Sequence, residues 1–325
     1  MRAFVIDATE SDVSAGVHDV PEPPFDDVTV RVEWSGVNFK DAMVAETDSR
    51  VRRTPRLIGG VDAAGVVVAS RDTDFAIGQR VAVHGGDIGV GRDGGFAEIV
   101  TAPSRYVSAL PDTVSTRDAM ALGTAGFTAL ASVLALEHHG LASGDGEVLV
   151  TGATGGVGVW AVVALALRGH RVAASTGSSN EAEWLLQRGA SVVIGRTDIS
   201  DRPDRVLGSE LWSGAVDCVG GDTLHQILRS LRYGCAVAAS GLVASPTLTT
   251  NVYPFITRSV ALLGIDAVEA SAATRHSVWQ LAGELLPSTD VEPLVDSVIS
   301  LEELPEAFTT IRRGGTRGRI LVQPT

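Results

Sequence analysis

VTGATGGVG, residues 150–158, is the stretch of this sequence that decides its fold. It ends an apolar run, EVLVTG (147–152), and opens a second apolar run that is long enough for a helix. Glycines at such a turn let the backbone approach a phosphate, and the N-terminus of the helix supplies free N–H groups. The pattern A-x-G-x-x-G, from Ala153, therefore predicts a pyrophosphate-binding loop. Its candidate cofactor-binding residues are Gly155, Gly156, Val157 and Gly158.

Strand-like and helix-like segments alternate around this loop. The strand-like runs are rich in Val and Ala and lack polar alternation, which is typical of parallel strands covered on both faces. These runs are 147–152, 171–175, 191–195, 215–220, 235–241 and 259–266. Six strands with helical crossovers predict an α/β fold with a Rossmann doubly wound parallel six-stranded sheet. We assign residues 118–267 to this cofactor-binding domain.

The flanking residues have a different pattern. Residues 1–117 contain alternating and Gly-punctuated strand patterns, such as VTVRVEW (28–34), separated by turns rich in Pro and Asp. The tail, 268–325, combines two helical patterns with two short strands, and we expect it to pack on the first domain. Residues 1–117 and 268–325 are therefore predicted to form one β-rich domain.

The turn after the second parallel strand indicates which cofactor is bound. Sites specific for NAD place an acidic residue near there, to bind the ribose 2′-hydroxyl. This chain has STGSSN (175–180), with no acidic residue before Glu181. Hydroxyls and N–H groups accept a 2′-phosphate that a carboxylate would repel, so the sequence favours NADPH. The candidate residues at this turn are Ser175, Thr176 and Ser178, with Arg196 after the third strand as a further contact.

Composition excludes several other classes of function. The net charge of −13 argues against a nucleic-acid partner, because binding to phosphates depends on basic residues. We find no segment of about 18 apolar residues and no signal peptide, so we expect a cytoplasmic protein without a membrane span. The two cysteines, Cys218 and Cys235, lie in apolar strand-like runs, where we expect buried and unreactive thiols.

SGVNFKDAM, residues 35–43, contains Lys40, the only Lys among 26 basic residues. Asn38, Lys40 and Asp41 are candidate catalytic residues, because an amide donor, a compact cation and a carboxylate suit a reaction that develops negative charge on oxygen. If the stretch ends a strand, Asn38 and Lys40 point to one side and Asp41 to the other. If a helix begins here, Lys40 and Asp41 share one rim. Lys40 as a surface ammonium and Asp41 as a helix N-cap stay open as alternatives.

Six stretches together resemble the medium-chain dehydrogenase/reductase superfamily, in its acrylyl-CoA reductase and quinone oxidoreductase branch. They are VNFKDA (37–42), GTAGFTA (123–129), VTGATGGVG (150–158), WSGAVDCVGG (212–221), PFITRSVALLGID (254–266) and GRILV (318–322). The resemblance implies a GroES-like catalytic domain, NADPH, a homodimer, and reduction of the activated C=C bond of an enoyl thioester such as acrylyl-CoA. Reduction of a quinone is the alternative.

The resemblance also suggests further cofactor-binding residues. Thr124 lies in GTAGFTA, and Arg319 in GRILV is placed to contact the nicotinamide side or a CoA phosphate. Gly241 and Leu242 follow the fifth parallel strand, and Ile265 and Asp266 end the sixth, at the sheet edge where ligands bind in this fold.

The chain departs from the family at several positions. Zinc-dependent members of the superfamily need a Cys and a Gly-His-Glu stretch, whereas this chain has GVDAAG (60–65) and two cysteines, so we expect no metal. Phe39 replaces the usual Tyr of the family and removes a hydroxyl that could donate a proton. Gly59-Gly-Val-Asp62 replaces Pro-Gly-Ile-Asp, and Ser178 stands where the family has Arg.

Overall fold

The computed structural model describes residues 1–9, 11–200 and 206–324. The chain forms two compact units: Met1–Phe127 together with Ala267–Thr325, called the catalytic unit below, and Thr128–Asp266, called the cofactor unit. The predicted boundaries were 117/118 and 267/268. The first boundary falls instead inside a helix, where no Pro-, Gly- or charge-rich linker marks it in the sequence.

The strands in chain order are β1 (Arg2–Ala8), β2 (Val13–Asp19), β3 (Val28–Val37), β4 (Arg56–Ile58), β5 (Asp62–Ser70), β6 (Arg80–His84), β7 (Ile99–Ala102), β8 (Val107–Ala109), β9 (Glu147–Thr151), β10 (Arg171–Thr176), β11 (Val192–Gly195), β12 (Trp212–Asp217), β13 (Ala236–Ala239), β14 (Ala261–Gly264), β15 (Val295–Ile299) and β16 (Arg319–Val322).

The helices are α1 (Phe39–Val44), α2 (Thr116–His138), α3 (Gly156–Leu167), α4 (Ala182–Gln187), α5 (Thr197–Ser200), α6 (Gly221–Ser230), α7 (Tyr253–Arg258), α8 (Ala272–Leu285) and α9 (Leu304–Arg312). Short 3-10 turns add Ser104–Tyr106, Ser179–Glu181, Leu286–Ser288, Glu292–Leu294 and Leu301–Glu303.

The cofactor unit contains the predicted six-stranded parallel sheet. Its strand order is β11-β10-β9-β12-β13-β14, and each neighbouring pair is parallel. The order reverses at β9, the strand that leads into the glycine loop, and this is where doubly wound sheets bind their ligands. The central strands β9, β10 and β12 are almost entirely buried, as expected for strands covered on both faces.

The catalytic unit is built from two sheets. A three-stranded sheet has the order β2-β1-β4, and a seven-stranded sheet has the order β15-β16-β3-β5-β6-β8 with β7 also paired to β3. The tail of the chain supplies β15 and β16, and β16 lies antiparallel to β3. That pairing brings Arg319, the first residue of β16, to the end of β3 that leads into the SGVNFKDAM stretch.

Helix α2 is long and apolar enough to span a membrane by length and composition alone, with a hydropathy of 1.8. The expectation that no segment reaches this length overlooked α2, because small polar residues interrupt its apolar run. In the structure 78% of the apolar 18-residue stretch of α2 is buried within the protein. A buried core helix passes the same test, so the helix is weak evidence for a membrane span.

Candidate active site

The glycine loop of the cofactor unit joins β9 to α3 and brings the start of α3 close to the end of β9. A Cβ on Gly158 would lie 2.2 Å from the carbonyl oxygen of Gly152, so only glycine lets the helix approach the strand this closely. Gly155 is the N-cap of α3, and Gly156, Val157 and Gly158 form its first turn. The first N–H groups of a helix lack partners within the helix, so this turn can bind an anion.

The turn after β10 brings the predicted 2′-phosphate residues together. The hydroxyl of Thr176 accepts a hydrogen bond from the N–H of Ser178 at 3.0 Å, and the carbonyl of Ser175 accepts one from the loop residue Ala153. The guanidinium of Arg196 lies directly over Gly177, where an added Cβ would be 2.6 Å from its Nη2. Arg196 therefore supplies a cation at a turn that contains none of its own.

The loops at the carboxyl ends of β12 and β13 are fixed by a buried carboxylate. Asp217 accepts hydrogen bonds from the hydroxyl of Thr151 at 2.6 Å and from the N–H of Gly220 at 2.8 Å. Gly241 packs against the backbone of Cys218, where an added Cβ would overlap the carbonyl carbon. Leu242 is half exposed beyond it. Asp217 is a structural residue of this edge that the sequence analysis did not identify.

Ile265 and Asp266 follow β14 at the same carboxyl edge. The N–H of Ile265 donates to the carbonyl of Ala239 at 3.1 Å, which continues the pairing of β13 and β14. Ile265 is partly buried, whereas Asp266 is exposed. Both positions are compatible with the predicted contact to a cofactor, because ligands of this fold lie at this edge.

In the catalytic unit, a helix begins within SGVNFKDAM. Asn38 has extended backbone angles and is the N-cap of α1, so Lys40 and Asp41 both lie in the first helical turn. The carboxylate of Asp41 accepts hydrogen bonds from the N–H of Asn38 at 2.7 Å and from the N–H of Val61 at 2.9 Å. Asp41 is buried and therefore ties the helix start to the residue before β5. Lys40 is partly buried on the same turn.

A second buried carboxylate, Asp62, connects three of the predicted site residues. Its Oδ2 accepts hydrogen bonds from the side-chain amide of Asn38 at 2.9 Å and from the backbone N–H of Thr124 at 2.8 Å. The Nη2 of Arg319 lies 3.5 Å from the same oxygen. Asp62 is fully buried and Arg319 is 3% exposed, so the carboxylate and the guanidinium balance each other's charge away from water. This cluster is Asn38, Asp62, Thr124 and Arg319.

The hydrogen bond from Thr124 depends on a break in helix α2. Gly123 has φ 55° and ψ −165°, which is outside the helical region and unfavourable for any residue with a Cβ. The helix restarts after Gly123, and the first N–H groups of a helix have no partners within it. The N–H of Thr124 is thus available to Asp62, and the half-buried side chain of Thr124 lies beside the cluster.

Arg319 is buried and is hydrogen-bonded to the residues that link β3 and α1. Its Nη1 donates to the carbonyl of Val37 at 3.1 Å and to the side-chain oxygen of Asn38 at 2.9 Å. These bonds hold the guanidinium at the end of β3, and the contact to a CoA phosphate stays a prediction. A contact near the reacting end of the ligands remains a prediction.

His84 is excluded as a proton donor by its surroundings. Burial, and then the nearby Arg275 guanidinium, lower the pKa of His84 to about 3, so the imidazole is neutral near pH 7. Its ring packs on Phe127 with centroids 4.5 Å apart. The structure uses this side chain for packing.

Comparisons with known proteins place the chain in a family. Residues 24–112 match the alcohol dehydrogenase GroES-like domain, and residues 156–284 match the family described as zinc-binding dehydrogenase. The chain is 40% identical over 300 residues to the acrylyl-CoA reductase AcuI of Ruegeria pomeroyi, covering 92% of this chain and 90% of the relative. It is 42% identical over 324 residues to the putative quinone oxidoreductase YhfP of Bacillus subtilis, covering 99% and 98%.

The chain belongs to the medium-chain dehydrogenase/reductase superfamily, in its acrylyl-CoA reductase and quinone oxidoreductase branch. Solved structures agree with this assignment. The Escherichia coli K-12 YhdH structure with bound NADPH has a TM-score of 0.94, 38% identity, and coverage of 99% of this chain and 100% of that one. The Bacillus subtilis YhfP structure with bound NAD has a TM-score of 0.96, 42% identity, and coverage of 99% and 98%. The predicted GroES-like and Rossmann folds are confirmed.

The zinc in the name of one matching family does not fit the described residues of this chain. Across residues 1–9, 11–200 and 206–324, no group of three or more His, Cys, Asp or Glu side chains is arranged to hold a metal ion. Burial raises the pKa of Cys218 far above its usual range, as does the adjacent Asp217, which disfavours the thiolate that zinc requires. In the buried cluster, the charge that balances Asp62 is the guanidinium of Arg319.

Two buried acidic residues, Asp62 and Asp217, were not predicted from the sequence. Asp62 is the first residue of β5, a strand otherwise made of Ala, Gly, Val and Ser, and a lone carboxylate in such a run was the available signal. Asp217 is likewise the last residue of the buried strand β12. A buried carboxylate needs partners, so each of these residues indicated a hydrogen-bonded cluster.

The free energy of unfolding should depend on pH through Asp41. Burial, and then the Asp62 carboxylate, raise the pKa of Asp41 to about 7, against the opposing effect of hydrogen bonds from Asn38 and Val61. A carboxyl with a raised folded-state pKa holds its proton longer in the folded protein, so stability falls as pH rises between its unfolded and folded pKa values.

We predict that the wild type loses stability relative to Asp41→Asn between about pH 4 and about pH 7, and that the difference is constant above that range. Urea unfolding of both proteins across this range measures it. A difference that is flat, or that increases with pH, would contradict the raised pKa.

Proposed function

We propose that this protein is an NADPH-dependent reductase of the activated C=C bond in an α,β-unsaturated acyl thioester, such as acrylyl-CoA. The observation that carries the proposal is the cluster of Asn38, Asp62, Thr124 and Arg319, which joins three predicted site residues around one buried carboxylate in a chain 40% identical to an acrylyl-CoA reductase. Such an enzyme must also bind NADPH. The glycine loop of the cofactor unit, an anion-binding turn in a doubly wound sheet, supports this.

The reaction forms a C–H bond at the β-carbon and then one at the α-carbon. NADPH supplies the hydride for the β-carbon when it is bound. Negative charge then develops on the thioester carbonyl oxygen, and donors directed at that oxygen lower the barrier. The protein must provide these donors and deliver a proton to the α-carbon.

Lys40 is the residue we assign to the developing charge. It lies in the first turn of α1, one residue from Asp41 and two from Asn38, and its ammonium can both stabilise an enolate and give up a proton. Both N–H groups of the Asn38 amide already donate inside the protein, to the carbonyl of Gly36 at 3.3 Å and to Asp62. Donation from Asn38 to the substrate would replace the longer of these two bonds, the one to Gly36.

The proposed cofactor is NADPH rather than NADH. The turn at Ser175, Thr176 and Ser178 carries hydroxyls, and the structure adds the Arg196 guanidinium beside Gly177. A relative 38% identical was solved with NADPH, whereas one 42% identical was solved with NAD. The cation at the turn is the feature of this chain that favours the 2′-phosphate.

A quinone is the second candidate acceptor. It is favoured by the 42% identity to a putative quinone oxidoreductase over 99% of this chain. The same cofactor and the same cation would then serve a different acceptor, since a quinone oxygen also gains negative charge when it is reduced.

One assay separates the two candidates. We expect the purified protein to oxidise NADPH, followed by absorbance, when acrylyl-CoA is added, and to do so slowly or not at all with a small quinone. Oxidation with the quinone alone would support the second candidate. Binding of NADPH without oxidation by either acceptor would overturn both and favour a nucleotide-binding protein without turnover.

Substitution of Arg196 should change the preference for the cofactor. Arg196→Ala removes the cation beside Gly177, so we expect KM for NADPH to rise about tenfold and KM for NADH to change little. Steady-state kinetics with both cofactors measure this. Arg188→Ala, which removes a cation stacked on Trp184 elsewhere in the cofactor unit, is the control. Equal rises for NADPH and NADH would contradict the proposed contact.

Substitution of Lys40 separates its two possible roles. Lys40→Met removes the charge, and we expect kcat to fall by about 10²-fold, the cost of losing one donor to a developing oxyanion. Lys40→Arg keeps the charge but cannot release a proton. An activity near that of the wild type in Lys40→Arg would leave Lys40 as a cation only, whereas full activity in Lys40→Met would remove it from the mechanism.

We further propose that the protein is a homodimer assembled through the cofactor unit. Strand β14 forms one edge of the parallel sheet, and the apolar side chains of Val252, Tyr253, Ile256 and Leu262 are exposed nearby in the sequence. An exposed strand edge with apolar neighbours is a surface that proteins usually cover. Sedimentation equilibrium should give twice the chain mass, and a monomer at micromolar concentration would contradict the proposal.

A further inference from the structure

Three predicted site residues converge on a carboxylate to which the sequence assigned no role. The Oδ2 atom of Asp62 accepts from Asn38 at 2.9 Å and from Thr124 at 2.8 Å, and it lies 3.5 Å from Arg319. Asp62 itself is fully buried, so it cannot meet a substrate directly. Its influence on the reaction must pass through the groups that it holds.

Asp62 and Arg319 together fix the orientation of the Asn38 amide. The amide oxygen accepts from Nη1 of Arg319 at 2.9 Å, while the amide nitrogen donates to Asp62. If the amide were flipped, its NH₂ group would face a guanidinium and its oxygen would face a carboxylate, and both contacts would be repulsive. The network therefore permits one orientation, which directs the NH₂ group toward Asp62 and the carbonyl of Gly36.

Two glycines, Gly36 and Gly123, border the guanidinium of Arg319 in this network. A Cβ on Gly36 would lie 2.6 Å from Nη2 of Arg319 and 3.3 Å from Oδ1 of Asp62. A Cβ on Gly123 would lie 2.3 Å from the same Nη2. The guanidinium thus occupies a space bounded by two residues without side chains. An added methyl group at Gly36 would displace Arg319 while every charge in the cluster is retained.

We propose that Asp62 is a positioning residue for the reduction: it holds the amide of Asn38 and the guanidinium of Arg319 in a single arrangement. The inference rests on the proposed function, which assigns Asn38 and Arg319 to the reacting end of the ligands. Because the pyrophosphate loop and the Arg196 turn belong to the cofactor unit, the loss of this arrangement should affect turnover more than cofactor affinity.

The test compares Asp62→Asn and Gly36→Ala with the wild type, using NADPH and acrylyl-CoA. We expect kcat to fall by about 10- to 100-fold in both variants, the range produced by a small misplacement of reacting groups. KM for NADPH should stay within about twofold of the wild type, because the cofactor unit is unchanged. Asp26→Asn, which breaks the partly buried Asp26–Arg92 ion pair of the same unit, should keep the kcat of the wild type.

Thermal unfolding of each variant shows whether it is folded at the assay temperature. If Asp62→Asn does not fold, Gly36→Ala decides the question, because it keeps the Asp62 carboxylate and displaces mainly the guanidinium. The inference would be overturned if a folded Gly36→Ala or Asp62→Asn variant had the kcat of the wild type. It would also be overturned if KM for NADPH rose in both variants while kcat did not change. Absence of turnover in the wild type would overturn the proposed function itself, and the positioning role with it.

Discussion

The catalytic unit depends on the buried pair of Asp62 and Arg319. A carboxylate removed from water is strongly destabilising unless opposite charge and hydrogen-bond donors replace the solvent. Here Asp62 receives a guanidinium from the C-terminal strand, an amide from the start of α1 and a backbone N–H from the break in α2. Three segments that are far apart in the sequence are therefore connected through one oxygen atom.

Glycines determine how closely the backbone segments approach in both units. In the cofactor unit, Gly158 lets α3 contact the strand that precedes it, and Gly241 lets two strand ends meet. In the catalytic unit, Gly123 breaks a helix so that an N–H becomes available to Asp62. Glycines thus occur where backbone segments must approach closely, or where a backbone N–H must reach a ligand or a buried charge.

The fold was predictable because its signals are local and periodic. The six Val- and Ala-rich runs and the glycine loop belong to consecutive segments, and the structure confirms them as a parallel sheet in the order of a doubly wound fold. Membership of the superfamily was also recognisable, because the six stretches that carry it are spread along the chain. The short helix at Phe39–Val44 could not be distinguished from a strand end, because six residues are too few to show a helical period.

Most residues of the buried cluster were named from the sequence, but their connections were not. Asn38, Thr124 and Arg319 were predicted one by one, whereas Asp62, which joins them, was not predicted. The contacts of this cluster join residues far apart in the sequence, such as Arg319 and Asn38, which are 281 positions apart, and nothing local encodes them. Arg196 was predicted from the sequence as a further contact at the turn after β10. Its closeness to Gly177 in that turn is visible only in the three-dimensional structure.

Transfer of an isotope shows whether this chain moves hydride from NADPH to the β-carbon of an enoyl thioester. The protein would be incubated in ordinary water with acrylyl-CoA and NADPH that carries deuterium at both C4 positions of the nicotinamide, and the product analysed by mass spectrometry and NMR. We predict one deuterium at the β-carbon and none at the α-carbon, because the α-carbon receives its proton from the protein or water. A product without deuterium, or with deuterium at the α-carbon, would contradict it.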